Sequence, residues 1–236
     1  MSFVRKFGTI YRTDLRLLRR DPMLLYSVVM TLVLLLIVRY FKDRIGVYYP
    51  PLLALLGLIF IPMIFGMIPG FMMADEKEDK TIQALKVIPI SSEAFLAYRL
   101  TWASIVTALL TAAAPYILDI EIPQKGILAL IALFLLEVWI YGLLITVFSE
   151  SRMQALTVSK VLGWLLMLPP VIKLVVVWRN LSTDWSRFTA FLPTYWLYKV
   201  FEGIPTNDYS DFPIALAVHL AWLVPPLVLL FRRRVL

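Results

Sequence analysis

The sequence predicts an all-α membrane protein that crosses the bilayer several times, and three observations carry that prediction. Hydrophobic residues make up 61% of the 236 and charged residues only 17%, with a mean hydropathy of +0.81, a balance no water-soluble core accommodates. Apolar runs recur six times at lengths that suit a bilayer. The 23 Lys and Arg collect between those runs and at the chain ends, giving a net charge of +7 that reads first as a topology signal and not as nucleic-acid affinity.

The runs cover residues 23–38, extended by Tyr40 and Phe41, then 51–73, 95–118, 126–148, 161–178 and 212–231. Because an α-helix rises about 1.5 Å per residue, about 20 residues cross roughly 30 Å of hydrocarbon, so each run spans or nearly spans. The fifth is short and contains Pro169, Pro170 and Lys173. Ahead of the first run, Phe3, Phe7, Ile10, Tyr11 and Leu18 fall at helical spacing among six basic residues. Residues 1–22 therefore read as an amphipathic helix lying on the anionic cytoplasmic leaflet, and no cleavable signal peptide is expected. Fifteen of the 23 Lys and Arg fall on one side if both termini are cytoplasmic, although Arg39, Lys42 and Arg44 oppose that bias locally. The expected location is the cell membrane of a prokaryote. Zero cysteines exclude a disulfide framework and a thiolate metal site.

The densest charge between two runs lies in residues 74–94, ADEKEDKTIQALKVIPISSEA. Asp79 or Thr81 can cap a short helix in which Ile82, Leu85 and Ile88 recur at three-residue spacing. Pro89 ends it, and Ser91 or Ser92 can open the next helix. Asp75, Glu76, Glu78 and Asp79 would then lie at the N-terminal end of the short helix, where its dipole favours them, on a solvated surface facing a partner. Glu76, Glu78, Thr81, Ile82, Leu85, Pro89, Ile90 and Ser91 in this order resemble the first cytoplasmic loop of permeases of the ABC-2 exporter family. One departure is Lys80, where such permeases often carry Gly. The resemblance implies that residues 74–94 hold a coupling helix docking on a separate ABC ATPase. It also implies a second permease chain, identical or related, and an N-terminal interfacial helix at residues 1–22.

The connection 179–211 is long for a helix hairpin yet rich in Trp, Phe and Tyr that water would not favour exposing. Pro193 can open a short helix and Gly203 can close it, with Tyr195, Trp196, Lys199 and Val200 forming an interfacial face. Leu192-Pro193-Thr194-Tyr195-Trp196 looks like the Pro-containing signature of ABC-2 permeases. There, re-entrant external helices stand between the fifth and sixth spans; the alternative is a simple aromatic belt.

Glu137 falls near the middle of the fourth run, where a charged carboxylate costs a few kcal/mol on insertion scales. Tyr141 one turn on offers a hydrogen-bond partner and Phe134 one turn before an aromatic wall. Glu137 and Tyr141 are therefore candidates for a substrate pathway or a dimer interface, and pairing of Glu137 with Lys173 is conceivable despite their different depths. His219, alone in the sixth run, suits a buried, hydrogen-bonded imidazole better than a metal ligand. Gly66 and Gly70 form GxxxG, and Ala103, Thr107 and Thr111 a small-residue stripe, both suited to close helix packing.

No G-x-x-x-x-G-K-[ST] is present, so the chain is expected to bind no cofactor and to do no nucleotide chemistry; ATP and Mg²⁺ would sit on the partner. The resulting expectation is a single transmembrane domain over 1–236: the permease subunit of an ATP-driven exporter of an amphipathic small molecule, peptide or lipid. Two alternatives stand beside it, a proton-coupled secondary transporter using Glu137 and a lipid-processing membrane enzyme. The latter lacks any polar cluster that could be assembled from the sequence.

Overall fold

The computed structural model describes residues 22–45, 53, 57–80, 92–181 and 185–233. Among these residues seven α-helices follow in order: α1 (Pro22–Ile45), α2 (Phe60–Glu78), α3 (Ser92–Leu118), α4 (Gln124–Phe148), α5 (Arg152–Trp178), α6 (Pro193–Gly203) and α7 (Phe212–Arg233). Short 3-10 turns stand at Trp185–Thr189 and Ile204–Thr206. Five helices, α1, α3, α4, α5 and α7, are long and apolar enough to cross a bilayer. The chain is an all-α, multi-pass membrane protein. Helices are what such runs must form, because hydrocarbon offers no partner to an unpaired backbone N–H or C=O.

α2 occupies the second predicted run but is shifted along it, starting at Phe60 and continuing past Met73 to Glu78. The second predicted span therefore rests on α2 and on residues 51–56, which lie mostly outside the described residues. Residues 1–21 and 81–91 also lie outside them, and with these the predicted N-terminal helix and Thr81, Ile82, Leu85, Pro89, Ile90 and Ser91.

α4 is the axis of the fold: 15 of its 25 residues are buried, on every side of the helix. α2 crosses it at glycine. A methyl group on Gly66 would fall 2.8 Å from Tyr141 Cβ and 2.9 Å from the Val138 carbonyl oxygen, and one on Gly70 would fall 2.7 Å from Ile145 Cβ. From the other side, a methyl group on Gly142 would fall 3.1 Å from the Gly66 carbonyl oxygen and into the Leu100 side chain of α3. Lipid tails are as apolar as leucine, so helices in a bilayer associate through such close approach and not through water exclusion. The GxxxG of the second run is thus an internal α2–α4 crossing. α1 is peripheral: Ser27, Thr31, Leu35 and Val38 make one buried stripe, while Tyr26, Val29, Leu36 and Tyr40 face outward.

α5 starts nine residues before the predicted fifth run. Ser151 Oγ accepts from the Gln154 N–H at 3.4 Å, and Gln154 Oε1 accepts from the Glu150 N–H at 2.8 Å, a reciprocal cap that extends the helix through polar sequence. The helix continues through Pro169 and Pro170. Pro170 supplies no N–H to the Leu166 carbonyl four residues back, and the Thr194 hydroxyl of α6 donates to that oxygen at 2.5 Å instead. One threonine thus fills the gap left by the proline and ties α6 to α5.

Candidate functional site

Three regions of the bundle carry polar or ligand-sized features. The first lies inside it, between α4 and α7. Glu137 and His219 are 1% and 0% exposed, with His219 Nε2 at 3.5 Å from Glu137 Oε1. His219 Nδ1 lies 2.7 Å from the Ala215 carbonyl oxygen, which can only accept, so Nδ1 carries a hydrogen. Among the described residues the Tyr141 hydroxyl has no hydrogen-bond partner, and the Glu137 oxygens and His219 Nε2 have none better than their own 3.5 Å approach, at the edge of hydrogen-bond distance. Tyr141 therefore does not bond Glu137, contrary to the expectation from their one-turn spacing; its ring packs with Leu166 of α5 and Leu192. Both Glu137 and Tyr141 are buried within the described residues. Lys173 is also placed elsewhere, 3.9 Å from Glu202 of α6, because it lies nearer the end of its helix than Glu137 does. The Glu137–His219 pairing was missed because α7 and α4 are far apart in the chain and neither residue signals the other.

The second region is a groove of about 360 Å³ between α2 and α5. Phe60, Met63 and Met67 line one wall and Gly163, Trp164 and Met167 the other, with Lys160 and Ser159 toward one end. Trp164 is 77% exposed and Gly163 leaves room opposite Met63 and Met67. Unbranched methionines reshape at little cost and make favourable sulfur–aromatic contacts, so this wall suits planar aromatic molecules.

The third region is the charged end of α2. Asp75, Glu76 and Glu78 occupy the last turns of that helix, where its own dipole disfavours them, and the short helix predicted after them lies outside the described residues. Cations from two neighbouring stretches offset this. Glu76 pairs with Arg99 of α3, Glu78 Oε2 accepts from the Arg152 N–H at 2.8 Å, and Asp75 lies 3.9 Å from Arg152 Nε. Lys77 Nζ donates to the carbonyls of Thr146 at 2.6 Å and Ser149 at 3.0 Å, closing the C-terminal end of α4, with Glu150 at 3.4 Å. Burial pushes the Lys77 ammonium below the usual lysine range, and Glu150 opposes that shift. Burial raises the Asp75 carboxyl, against the pull of Arg152. Glu76 is thus an internal tie, while Glu78, bonded to the Arg152 N–H, and Asp79 stay exposed. At the end of α2, Lys80 adopts φ 57°, the left-handed conformation that favours glycine, at the position where the resembled permeases often carry Gly.

At the opposite end, α6 spans Pro193–Gly203, bounded by the proline and glycine that predicted it. Its orientation differs from the interfacial face expected. Tyr195 and Val200 are 7% and 1% exposed because α6 packs into the bundle against α5 and α7. Trp196 is half-buried and its indole N–H donates to the Ala190 carbonyl at 2.6 Å. The outward aromatic face belongs to Trp185, Phe188 and Phe191 just before it.

Comparison with known proteins gives this geometry a context. Residues 14–231 match a family described as fluoroquinolones export permease protein, Rv2686c-like. Two curated relatives, the fluoroquinolones export permease proteins MT2760 and Rv2686c of Mycobacterium tuberculosis strains CDC 1551 / Oshkosh and H37Rv, are each 26% identical over 218 residues. Each alignment covers 84% of this chain and 82% of the relative. No solved structure matches the chain.

Proposed function

The chain belongs to the Rv2686c-like family of fluoroquinolones export permease proteins, and from that premise we propose that it is the membrane subunit of an ATP-driven exporter of fluoroquinolone-like drugs. A separate ATPase carries ATP and Mg²⁺, and a second permease chain completes the pathway. That it is a drug-export permease follows from the family; the energy source, partners and substrate are the proposal.

The observation that best supports the substrate class is the groove between α2 and α5. A fluoroquinolone offers a flat aromatic ring system and a carboxylate. Met63, Met67, Met167 and Trp164 suit the ring, and the Lys160 ammonium at the groove's end suits the carboxylate. Trp164→Ala is expected to reduce drug export several-fold at unchanged protein level, read as drug accumulation in cells; unchanged accumulation would remove the groove from the pathway.

The coupling segment falls between Lys80 and Ser92, so it hangs from the end of α2 and the start of α3. The Glu76–Arg99 pair joins those two helices near their ends, and α2 rests on α4 through Gly66 and Gly70. A displacement of the segment by an ATPase is thereby delivered to α2, one wall of the groove. With both termini cytoplasmic, the charged end of α2 faces that ATPase. Leu85→Asp or Ile82→Asp is expected to abolish ATPase association and export without preventing membrane insertion, measured by co-purification in mild detergent. Normal assembly in those variants would overturn the coupling assignment.

A further inference from the structure

We infer that Glu137 and His219 form a one-proton site that clasps α7 to α4, so that a step separating these helices and admitting water between them releases a proton. The geometry carries this. Nδ1 of His219 keeps its hydrogen on the Ala215 carbonyl, leaving Nε2 and Glu137 Oε1, 3.5 Å apart, to share one proton between them. With that proton the pair is neutral overall, either as acid and imidazole or as carboxylate and imidazolium. Without it, or with a second, a net charge stands unpaired in an interior that is closed to solvent.

Among the described residues, no other charge is placed to help. The titratable group beside the pair is the Tyr141 hydroxyl on α4, buried and without a hydrogen-bond partner. On the helices packed around α4 and α7, Lys173 and Lys199 are held at Glu202, Arg99 at Glu76 and Lys77 at the end of α4. Arg152 lies with Asp75 and Glu78, and Lys160 lines the outer groove.

Separation changes the proton count. In water a glutamate titrates near about 4.3 and a histidine near about 6.5, so at neutral pH the parted side chains together hold only about 0.2 proton. Closed, they hold one. Opening the α4–α7 contact therefore gives most of a proton to water, and its equilibrium constant grows by nearly tenfold per pH unit above about pH 7. Acid keeps the clasp shut.

The sequence contains no cysteine, so a single introduced thiol reports opening without background. Ala215→Cys places it on α7, fully buried one turn from His219, while keeping the backbone carbonyl that holds Nδ1. The full-length chain in lipid nanodiscs is alkylated with a maleimide across about pH 5.5 to about pH 8.5. Each rate is divided by that of the Glu137→Gln/His219→Gln double variant carrying the same cysteine, which cancels the thiol's own titration. The expected ratio rises by nearly tenfold per unit above about pH 7. Glu137→Gln alone reverses the dependence, because its lone imidazole gains a proton on opening, so opening grows as pH falls below about 6.5. A ratio constant with pH, or a Glu137→Gln variant with the wild-type slope, would overturn the one-proton site.

Discussion

Lys80 holds a left-handed backbone at φ 57° with a full side chain, which costs about 1 kcal/mol relative to glycine. Lys80→Gly is therefore expected to stabilise the chain by about 0.5–1 kcal/mol, seen as a higher thermal midpoint in detergent. A lower midpoint would mean that the Lys80 side chain is held by a partner whose loss outweighs the backbone strain. At the C-terminal end of α4, Lys77 supplies hydrogen bonds that two helix-end carbonyls otherwise lack. Lys77→Met keeps the apolar stem and removes the donor, so a loss of about 1–3 kcal/mol is expected. The same physics makes Thr194→Val costly through the Leu166 carbonyl that Pro170 leaves open. These residue-level ties were not legible in the sequence. Thr194 pairs with a carbonyl 28 residues away, and nothing local marks it except the two prolines that must leave acceptors unfilled.

At the scale of elements, local signals located boundaries where the chain carries them. Pro193 and Gly203 bound α6 as predicted, because each acts on its own backbone. The same local reasoning ended the preceding helix at Met73, short of where it stops. Apolar periodicity fades at Met73, but α2 continues to Glu78 because Arg99, Arg152 and the Thr146 and Ser149 carbonyls reward it from distant stretches. α5 shows the converse case, since Ser151 and Gln154 carry a readable capping signal that an apolar-run criterion overlooks. The α2–α4 crossing gives the sharpest test. Gly66→Val drives methyl groups into the Val138 backbone and is expected to cost about 1–3 kcal/mol or more in unfolding measurements. Gly163→Ala, whose added carbon would meet only Met63 Sδ at 3.7 Å and Met67 Cε at 3.9 Å, should stabilise the helix by about 0.5–1 kcal/mol while narrowing the groove. Equal destabilisation by both would contradict the distinction drawn between packing glycine and groove glycine.

For the whole molecule, composition and run length predicted a helical bundle in the membrane, and that architecture is present. The arrangement of the bundle was not readable, because apolar helices in lipid differ little in hydrophobicity and are sorted by small residues and buried polar pairs. Glycine spacing hinted at one contact; the Glu137–His219 contact left no sequence trace beyond two polar residues in separate apolar runs. The groove was likewise invisible, since Met63, Met67 and Gly163 look like any other apolar positions until α2 and α5 are set side by side. Function followed a different route, through the short motif around Thr81 and Leu85 and the family to which residues 14–231 belong. The central claim, ATP-driven drug export by this subunit, is tested most directly by reconstituting the chain in liposomes with its co-purifying ATPase and following a fluorescent fluoroquinolone. The account predicts transport only with ATP and ATPase together, lost in Leu85→Asp. Transport by the chain alone, driven by a proton gradient and abolished by Glu137→Gln, would contradict it.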